Sequence, residues 1–282
     1  MTEMIKTVSA VEKGSRHAGE GMPCQDRTEA VRTDDLAVIA LSDGAGSCPL
    51  SHEAAERITK WLPEYLQDSF DDMYLRMQEG YDIAEDFLAD AARMLEDSGL
   101  IPEESYCTML FFALHTDGRW ICGHIGDGVI FLCQEGESRI LSFPENGEYA
   151  NITFFVNEPP DIARKHMRFQ SGIWDRPGSV LMSSDGCQIS LYSYMEREPA
   201  PIVGILCGWL EKYSEADVEL ALHRNMIEKF SAGTEDDMSL AMLYAPALGY
   251  GGLDDGFYPD HGNEPEAGLA VSDDAFWRGG VL

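Results

Sequence analysis

A helical repeat of apolar residues is the clearest pattern in the chain. Between residues 83 and 95, six apolar residues recur at the spacing of one helix face, and a glycine and a proline follow just beyond. Another helix is predicted to begin at Ser51, which can act as its cap, and to end or kink at Pro63. A later helix is predicted over residues 214–230, with Ser214 as its cap.

Short apolar runs bounded by polar turns predict β-strands elsewhere. Residues 105–143 are rich in β-branched and aromatic residues, and turns at 116–118 and 126–128 divide them into short pieces. This pattern predicts an antiparallel meander joined by hairpins. A polar, glycine-rich loop is predicted over residues 13–26. Further strands are predicted at 4–11, 36–41, 152–156 and 167–174, and in the segments 178–186 and 233–245.

The order of these elements indicates the fold class. Strands come first, then two helices, then many strands, and finally one helix and one strand. Helices do not alternate regularly with strands, which disfavours a doubly wound parallel sheet. The order predicts an α+β layered sandwich of antiparallel sheets.

Composition excludes several classes of partner. The chain has 50 acidic and 20 basic residues, a net charge of −30, and such a surface repels nucleic acid and anionic membranes. We therefore expect neither as a partner. No segment approaches the roughly 20 apolar residues of a membrane-spanning helix, and the N-terminal residues lack a signal-peptide pattern. These features, together with scattered cysteines, predict a cytoplasmic protein.

The seven cysteines form no CxxC pair and show no zinc spacing with the histidines. Cys107, Cys122, Cys133 and Cys207 lie inside apolar runs. A cysteine in such a run is expected to be a buried, reduced thiol that packs as a small hydrophobe.

The composition changes near residue 247. Residues 249–282 contain eight glycines, seven acidic residues and one arginine, which is typical of a solvated tail. We predict one folded domain over residues 1–247 and an acidic, glycine-rich, flexible tail over 248–282.

Acidic turns recur at the ends of apolar strands. Each Asp-Gly pair alone can be simple turn chemistry, but carboxylates at several strand ends can also converge and hold a cation. Clustered carboxylates repel one another unless a cation neutralises them, and oxygen ligands suit Mg²⁺, Mn²⁺ or Ca²⁺. The turns contain Asp26, Asp43-Gly44, Asp127-Gly128, Asp185-Gly186 and Asp236-Asp237.

Six segments in order resemble the metal-dependent protein phosphatases of type 2C, in particular their divergent bacterial branch. The resemblance covers about residues 5–245. The segments are PCQD at 23–26, LSDGAGS at 41–47, CTMLFFAL at 107–114, GHIGDGVIFL at 123–132, VLMSSDG at 180–186 and EDDMSLAML at 235–243.

The resemblance implies a four-layer α-β-β-α sandwich with two Mg²⁺ or Mn²⁺ ions at one end. Asp43 would bridge the two ions and the Gly44 carbonyl would bind one of them. Asp185 and Asp236 would hold the other. Asp26 would contact a metal directly or through water, and Asp127 resembles the aspartate of a looser third site. The family hydrolyses phosphoserine and phosphothreonine with water, without a covalent enzyme intermediate.

Two departures from the family pattern keep a second function open. Ala45 stands where many members have a histidine, and no arginine directly precedes the first acidic motif; Arg16 or His17 is the candidate substitute. Gln25 replaces a common glutamate, which suggests a weaker supporting role. His52 is a further candidate near the site, whereas His124 is expected in the core. The chain is therefore predicted to be an active phosphatase or a catalytically weak module that binds metal or a phosphoprotein.

The resemblance also implies partners. A phosphorylated protein is the expected substrate, and a Ser/Thr kinase is the expected signalling partner. We expect a monomer.

Overall fold

A computed structural model describes residues 4–145 and 153–249. Within these ranges, two five-stranded antiparallel sheets form the centre of the molecule. The strands are β1 Lys6–Glu12, β2 Arg27–Arg32, β3 Leu36–Ser42, β4 Met109–His115, β5 Arg119–Ile125, β6 Val129–Gln134, β7 Glu137–Ser142, β8 Arg168–Ile173, β9 Gly178–Ser183, β10 Tyr192–Ser193, β11 Glu198–Pro199 and β12 Met238–Ala245.

Helices cover the outer faces of both sheets. Those in the described ranges are α1 Ser15–Glu20, α2 Ser51–Gln78, α3 Ala84–Asp97, α4 Pro102–Ser105, α5 Pro160–His166, α6 Asp185–Leu191, α7 Pro201–Lys212 and α8 Glu215–Glu228. One sheet has the strand order β1-β12-β9-β6-β7, the other has the order β2-β3-β4-β5-β8, and β10 pairs with β11 in a small hairpin.

Three apolar clusters define four layers. The middle cluster joins the inner faces of the two sheets and contains Ile39, Phe112, Ile130 and Met182. One outer cluster packs α2 and α3 against the β3–β4 side, and the other packs α6, α7 and α8 against the β9–β12 side. The predicted α+β sandwich of antiparallel sheets is therefore confirmed, because alternate residues of each central strand face two different cores.

Two predicted helices and one predicted strand are confirmed by the structure. The predicted helix at 83–95 is α3, and Gly99 follows it with φ of 82°, the left-handed conformation that glycine readily adopts. The predicted helix at 214–230 is α8, and the Ser214 hydroxyl accepts the Asp217 N–H at 3.2 Å as a cap. The 167–174 prediction is β8, which pairs with β5.

Three local expectations were wrong. Pro63 does not end a helix, which was one of the two predicted effects, but lies inside the 28-residue α2, where the buried face continues through Leu62 and Leu66. Ser51 is the first residue of α2 and its hydroxyl does not cap the helix. The loop predicted at 13–26 contains α1.

The turn at 126–128 is not a hairpin. β5 lies in one sheet and β6 in the other, so this turn carries the chain from sheet to sheet. The turn at 116–118, in contrast, joins the paired strands β4 and β5 as predicted. The strand predicted at 152–156 begins outside the described residues, and residues 153–156 contain no regular strand.

The chain divides into a unit over residues 1–250 and another over residues 251–282. The second unit lies outside the described residues, so the predicted tail at 248–282 stays a prediction. In the part of the chain that is described, no helix combines the length and the apolar character needed to cross a bilayer.

Candidate metal centre

An acidic cavity of about 470 Å³ opens at one end of the sandwich. Four of the aspartates singled out in the sequence contribute to its walls, namely Asp43, Asp127, Asp185 and Asp236. The remaining lining residues are Arg16, Gln25, Gly44, Ala45, Gly46, Ser47, Thr108, Thr153, Phe155 and Glu158.

Strand order explains why distant residues meet here. Asp43 directly follows β3, and Asp127 lies in the turn that passes from β5 to β6. Asp185 begins α6 directly after β9, and Asp236 lies just before β12. β9 pairs with both β6 and β12, so the ends of three neighbouring strands bring Asp127, Asp185 and Asp236 to one edge.

The backbone around Asp43 is fixed by hydrogen bonds. The Asp43 N–H donates to Oγ1 of Thr108 at 2.9 Å, and the Asp43 carbonyl accepts the Thr108 N–H at 2.8 Å. The Gly44 N–H donates to the Gln25 carbonyl at 3.2 Å. A Cβ on Gly44 would lie 2.8 Å from Ser51 atoms, so glycine allows this segment to pack against the start of α2. Asp43 is thus held by its main chain while its carboxylate faces the cavity.

Mutual repulsion and burial raise the pKa of several carboxyl groups. Burial, followed by the charges of Asp26, Asp185 and Asp127, raises the pKa of Asp43 well above its ordinary value. The Asp185 residue stays accessible to water in the cavity. Desolvation of its carboxyl group by the surrounding protein, followed by the charges of Asp127 and Asp26, raises its pKa to about 7. A site of this kind favours protons or a cation over free negative charge.

Asp26 lies behind the cavity wall. It is buried, and burial raises its pKa to about 6, although the hydroxyl groups of Ser184 and Ser239 act in the opposite direction. Its Oδ2 atom is buried without a hydrogen-bond partner among the described residues. An unpartnered carboxylate oxygen beside other carboxylates is able to act as a ligand for a cation.

Asp127 is held by hydrogen bonds from two other residues. Its carboxylate accepts a hydrogen bond from the Thr153 hydroxyl, and its carbonyl accepts one from the Gln188 side chain. Burial raises the pKa of Asp127 in spite of the Thr153 contact. The loop that crosses between the sheets is therefore held from two sides.

The two candidate substitutes for a phosphate-binding arginine occupy different positions. Arg16 lines the cavity, and its guanidinium lies 2.8 Å from Oδ1 of Asp236. His17 does not line the cavity; it is buried, with Nδ1 2.8 Å from Oδ2 of Asp237. Arg16 can therefore contact a ligand in the cavity, whereas His17 contacts the protein interior.

Asp237 is a supporting residue, for which the sequence indicated only a place in an acidic turn. Burial favours its neutral form, but donors from Gln25, Gly14 and His17 lower its pKa below the ordinary value. The Gln25 N–H lies 2.5 Å and the Gly14 N–H 2.7 Å from its carboxylate. The adjacent acidic pair at 236–237 was the available signal, since one member faces the cavity and the other faces inward.

Gln25, Ala45 and the two other histidines each have a clear placement. Gln25 lines the cavity and donates from Nε2 to the Ser51 hydroxyl at 2.8 Å, while its Oε1 atom is buried without a partner. Ala45 lines the cavity and carries no titratable group. His52 is not among the lining residues. His124 is fully buried beside Ser142, as expected of a core residue.

The donor set around the cavity suits a hard divalent cation. Within residues 4–145 and 153–249, no three His, Cys, Asp or Glu side chains converge as a ready set of ligands. Carboxylate and carbonyl oxygens around Asp43 and Gly44, with no thiol or imidazole among the described lining residues, match the preference of Mg²⁺ and Mn²⁺. The residues therefore fit such ions by chemistry.

Comparisons with known proteins agree with the six sequence motifs. A curated relative, "Serine/threonine-protein phosphatase 3" of Escherichia coli (strain K12), is 24% identical over 251 residues, covering 84% of this chain and 97% of the relative. A serine/threonine phosphatase of S. agalactiae has a similar fold, with a TM-score of 0.58 at 14% identity over 86% of this chain and all of that one.

Another similar solved structure is the catalytic domain of the phosphatase PstP in complex with two manganese ions. Its TM-score is 0.56 at 16% identity, over 85% of this chain and 97% of that chain. A model of the protein phosphatase 2C family matches residues 13–225, well over half of the 282 residues. The chain belongs to the protein phosphatase 2C family, and it is a serine/threonine phosphatase hydrolase of that family.

Proposed function

We propose that the chain hydrolyses phosphoserine and phosphothreonine in proteins in a reaction that depends on Mg²⁺ or Mn²⁺. The observation that carries this proposal is that four aspartates from separate elements line one cavity, which an arginine also lines. Carboxylates that raise one another's pKa are a poor place for an anionic phosphate unless cations offset their charge.

The proposed ligands are those that the resemblance implies. Asp43, the Gly44 carbonyl, Asp185 and Asp236 would hold two cations, and Asp26 would contribute its unpartnered oxygen. Asp127 would serve a looser third cation. When bound, such cations activate water as Lewis acids and neutralise charge on the transferring phosphoryl group.

The chain's own residues supply position and charge. Arg16 lines the cavity and offers a planar guanidinium, which suits bidentate contact with phosphate oxygens. Thr108 and Gln25 fix the backbone at Asp43 and Gly44. His17 would position the site and would not contact the substrate. It holds Asp237, and the neighbouring Asp236 lines the cavity.

A second candidate is a catalytically weak module that binds metal or a phosphoprotein. Ala45 favours it, because this residue lines the cavity where many family members have a histidine that can protonate the leaving group. An alanine has no proton to donate, so water or another residue would have to perform that step.

The proposal also includes the partners and the organisation of the chain. A phosphorylated protein is the substrate class of the family, and a Ser/Thr kinase would supply that substrate. We propose a cytoplasmic monomer with the phosphatase domain at residues 1–247 and an acidic tail at 248–282.

Hydrolysis of a phosphothreonine peptide by the full chain tests the proposal. We expect turnover with Mn²⁺ or Mg²⁺ and none with excess EDTA, and restoration when Mn²⁺ is returned. Turnover in EDTA would reject the metal mechanism. Binding of Mn²⁺ without turnover, measured on the same preparation, would select the weak regulatory module.

A further inference from the structure

A second cavity, of about 330 Å³, lies between α7 and the neighbouring sheet. It shares no lining residue with the acidic cavity. Cys133, near the end of β6, and Cys207, in α7, both contribute to its walls. Both were expected to be buried, reduced thiols, but Cys133 is only half-buried.

Backbone contacts and a shared cavity place the two cysteines close together. Cys133 lies opposite Ser179 in the pairing of β6 with β9, and the Ser179 hydroxyl donates to the Cys207 carbonyl at 3.1 Å. Both cysteines line the same cavity, and Cys133 packs against the apolar cluster that contains Cys207. Oγ of Ser138 lies 3.3 Å from Sγ of Cys133, so a hydroxyl group also contacts this sulfur.

The two sulfurs differ in their affinity for a proton. The Cys207 hydrogen bond, with help from Ser138, lowers the pKa of Cys133 in spite of burial. The same contact, together with burial, raises the pKa of Cys207 well above its ordinary value. Cys133 is therefore the nucleophilic member, because the thiolate is the reactive form of cysteine.

Cys24 provides a natural comparison within the same chain. It is also half-buried, but burial and the nearby Asp237 and Asp26 charges raise its pKa to about 12. Exposure alone would give Cys24 and Cys133 similar reactivity. Their reactivity is expected to differ because acidic groups surround the Cys24 sulfur, whereas the Cys207 thiol and the Ser138 hydroxyl lie beside the Cys133 sulfur.

We propose that Cys133 and Cys207 form a peroxide-reactive thiol pair that closes to a reversible disulfide. The Cys133 thiolate attacks one oxygen of hydrogen peroxide, which breaks the O–O bond and gives Cys133 sulfenic acid and hydroxide. The Cys207 thiol then attacks that sulfur, forming the S–S bond and releasing water. Two thiols are oxidised by two electrons, and the peroxide is reduced.

The disulfide would join α7 covalently to β6. These elements pack against each other through the apolar cluster on that side of the sheet. Asp127 precedes β6, whereas Cys133 lies near the other end of the same strand. Because each strand residue advances the chain by about 3.3 Å, the thiol pair lies well away from the proposed metal ligands, and its chemistry does not depend on them.

Peptide mass spectrometry of the full, folded chain after brief treatment with hydrogen peroxide tests the proposal. Remaining thiols are blocked with N-ethylmaleimide before digestion. We expect a cross-linked peptide pair containing Cys133 and Cys207 that dithiothreitol separates, formed on the order of a hundredfold faster than any oxidation of Cys24. Absence of the cross-link, or oxidation of Cys24 at the same rate as Cys133, would overturn the proposal.

Two variants separate the proposed order of events from a simple structural effect. Cys207→Ser is expected to accumulate sulfenic acid at Cys133, trapped by dimedone, because the resolving thiol is gone. Cys133→Ser is expected to leave Cys207 reduced. Circular dichroism before treatment confirms that each variant is folded. Oxidation of Cys207 in Cys133→Ser at the rate seen in the unchanged chain would contradict the assignment of Cys133 as nucleophile.

Discussion

Nδ1 of His17 lies 2.8 Å from Oδ2 of Asp237, and both side chains are buried. The same carboxylate accepts the backbone N–H groups of Gly14 and Gln25. The Gln25 carbonyl in turn accepts the Gly44 N–H. This chain of contacts connects the segment before β2 with the turn after β3, so a buried hydrogen-bonded pair supports the wall of the acidic cavity.

Removal of the His17 ring should therefore cost stability. We expect His17→Ala to lower the free energy of unfolding by about 2–4 kcal/mol, because it leaves a buried carboxylate with one donor fewer. Urea denaturation measures the change. His223→Ala is the matched control, since Nδ1 of His223 contacts Glu12 at 2.6 Å in a partly exposed pair, which is worth less than about 1 kcal/mol. Equal losses in the two variants would contradict a special role for the buried pair.

The stability of the metal-free protein should fall as the pH rises from about 4 to 7. The pKa of Asp26 is raised to about 6 and that of Asp185 to about 7, whereas an unfolded aspartate has a pKa of about 3.9. Below pH 4 both groups are protonated in either state, so their contribution is fully present. Between pH 4 and 7 the two aspartates are ionised in the unfolded chain but still largely protonated in the folded one. Their contribution to the free energy of unfolding therefore falls as the pH rises through this range.

Thermal melting in EDTA across this range measures the effect. Addition of Mn²⁺ should reduce the loss, because a bound cation stabilises the ionised carboxylates. A metal-free protein whose melting temperature is unchanged or rises from pH 4 to 7, with Asp26→Asn behaving identically, would contradict the raised pKa values.

Gly186 has a steric role beside the predicted ligand Asp185. A Cβ at this position would lie 1.9 Å from the Asp237 carbonyl oxygen. We expect Gly186→Ala to lower the unfolding free energy by about 1–3 kcal/mol, since backbone must move to relieve the overlap. Gly208→Ala in α7 is the control, because nothing lies within 4 Å of its Cβ position and alanine favours a helix by about 1 kcal/mol. Chemical denaturation should give opposite signs for the two changes.

Arg16 should act on phosphate recognition. Arg16→Ala is expected to lower kcat/KM for a phosphothreonine peptide by about 10–100-fold, the loss expected for a charge-assisted hydrogen bond. Arg16→Lys should recover part of this, because a lysine keeps the charge without the planar fork. Arg93→Ala, an exposed arginine on α3, serves as the control. Unchanged kinetics in Arg16→Ala would remove Arg16 from the proposed site.

Sequence patterns predicted the layers of the fold better than its local details. α3 and α8 were found because each combines a periodic apolar face with a recognisable end signal. α7 was missed because its sequence, PIVGILCGWLEK, is apolar and contains two glycines, which obscures one-sided periodicity. A helix end at Pro63 was wrong because local propensity does not include the continuous buried face of α2, which favours a helix that extends past the proline.

The acidic residues of the cavity were predictable from the sequence, but their neighbourhood in space was not. Acidic residues at strand ends mark candidates, but their convergence depends on which strands are neighbours in each sheet. The turn at Asp127 shows this clearly, since it was read as a hairpin and instead passes between the sheets. The separate directions of Asp236 and Asp237 also depend on tertiary contacts, because only the fold brings Gly14, His17 and Gln25 around one of them.

Binding of Mn²⁺ by the purified full chain tests the central claim most directly. Isothermal titration calorimetry of the unchanged chain should give at least two Mn²⁺ per chain. Loss of a residue that only supports a metal ligand costs roughly 10–100-fold in metal affinity. Asp43→Asn and Asp185→Asn should each weaken Mn²⁺ binding by more than this. Asp68→Asn, an exposed position on α2 outside the cavity lining, should bind like the unchanged chain. Identical Mn²⁺ affinity and stoichiometry in all four proteins would contradict the account.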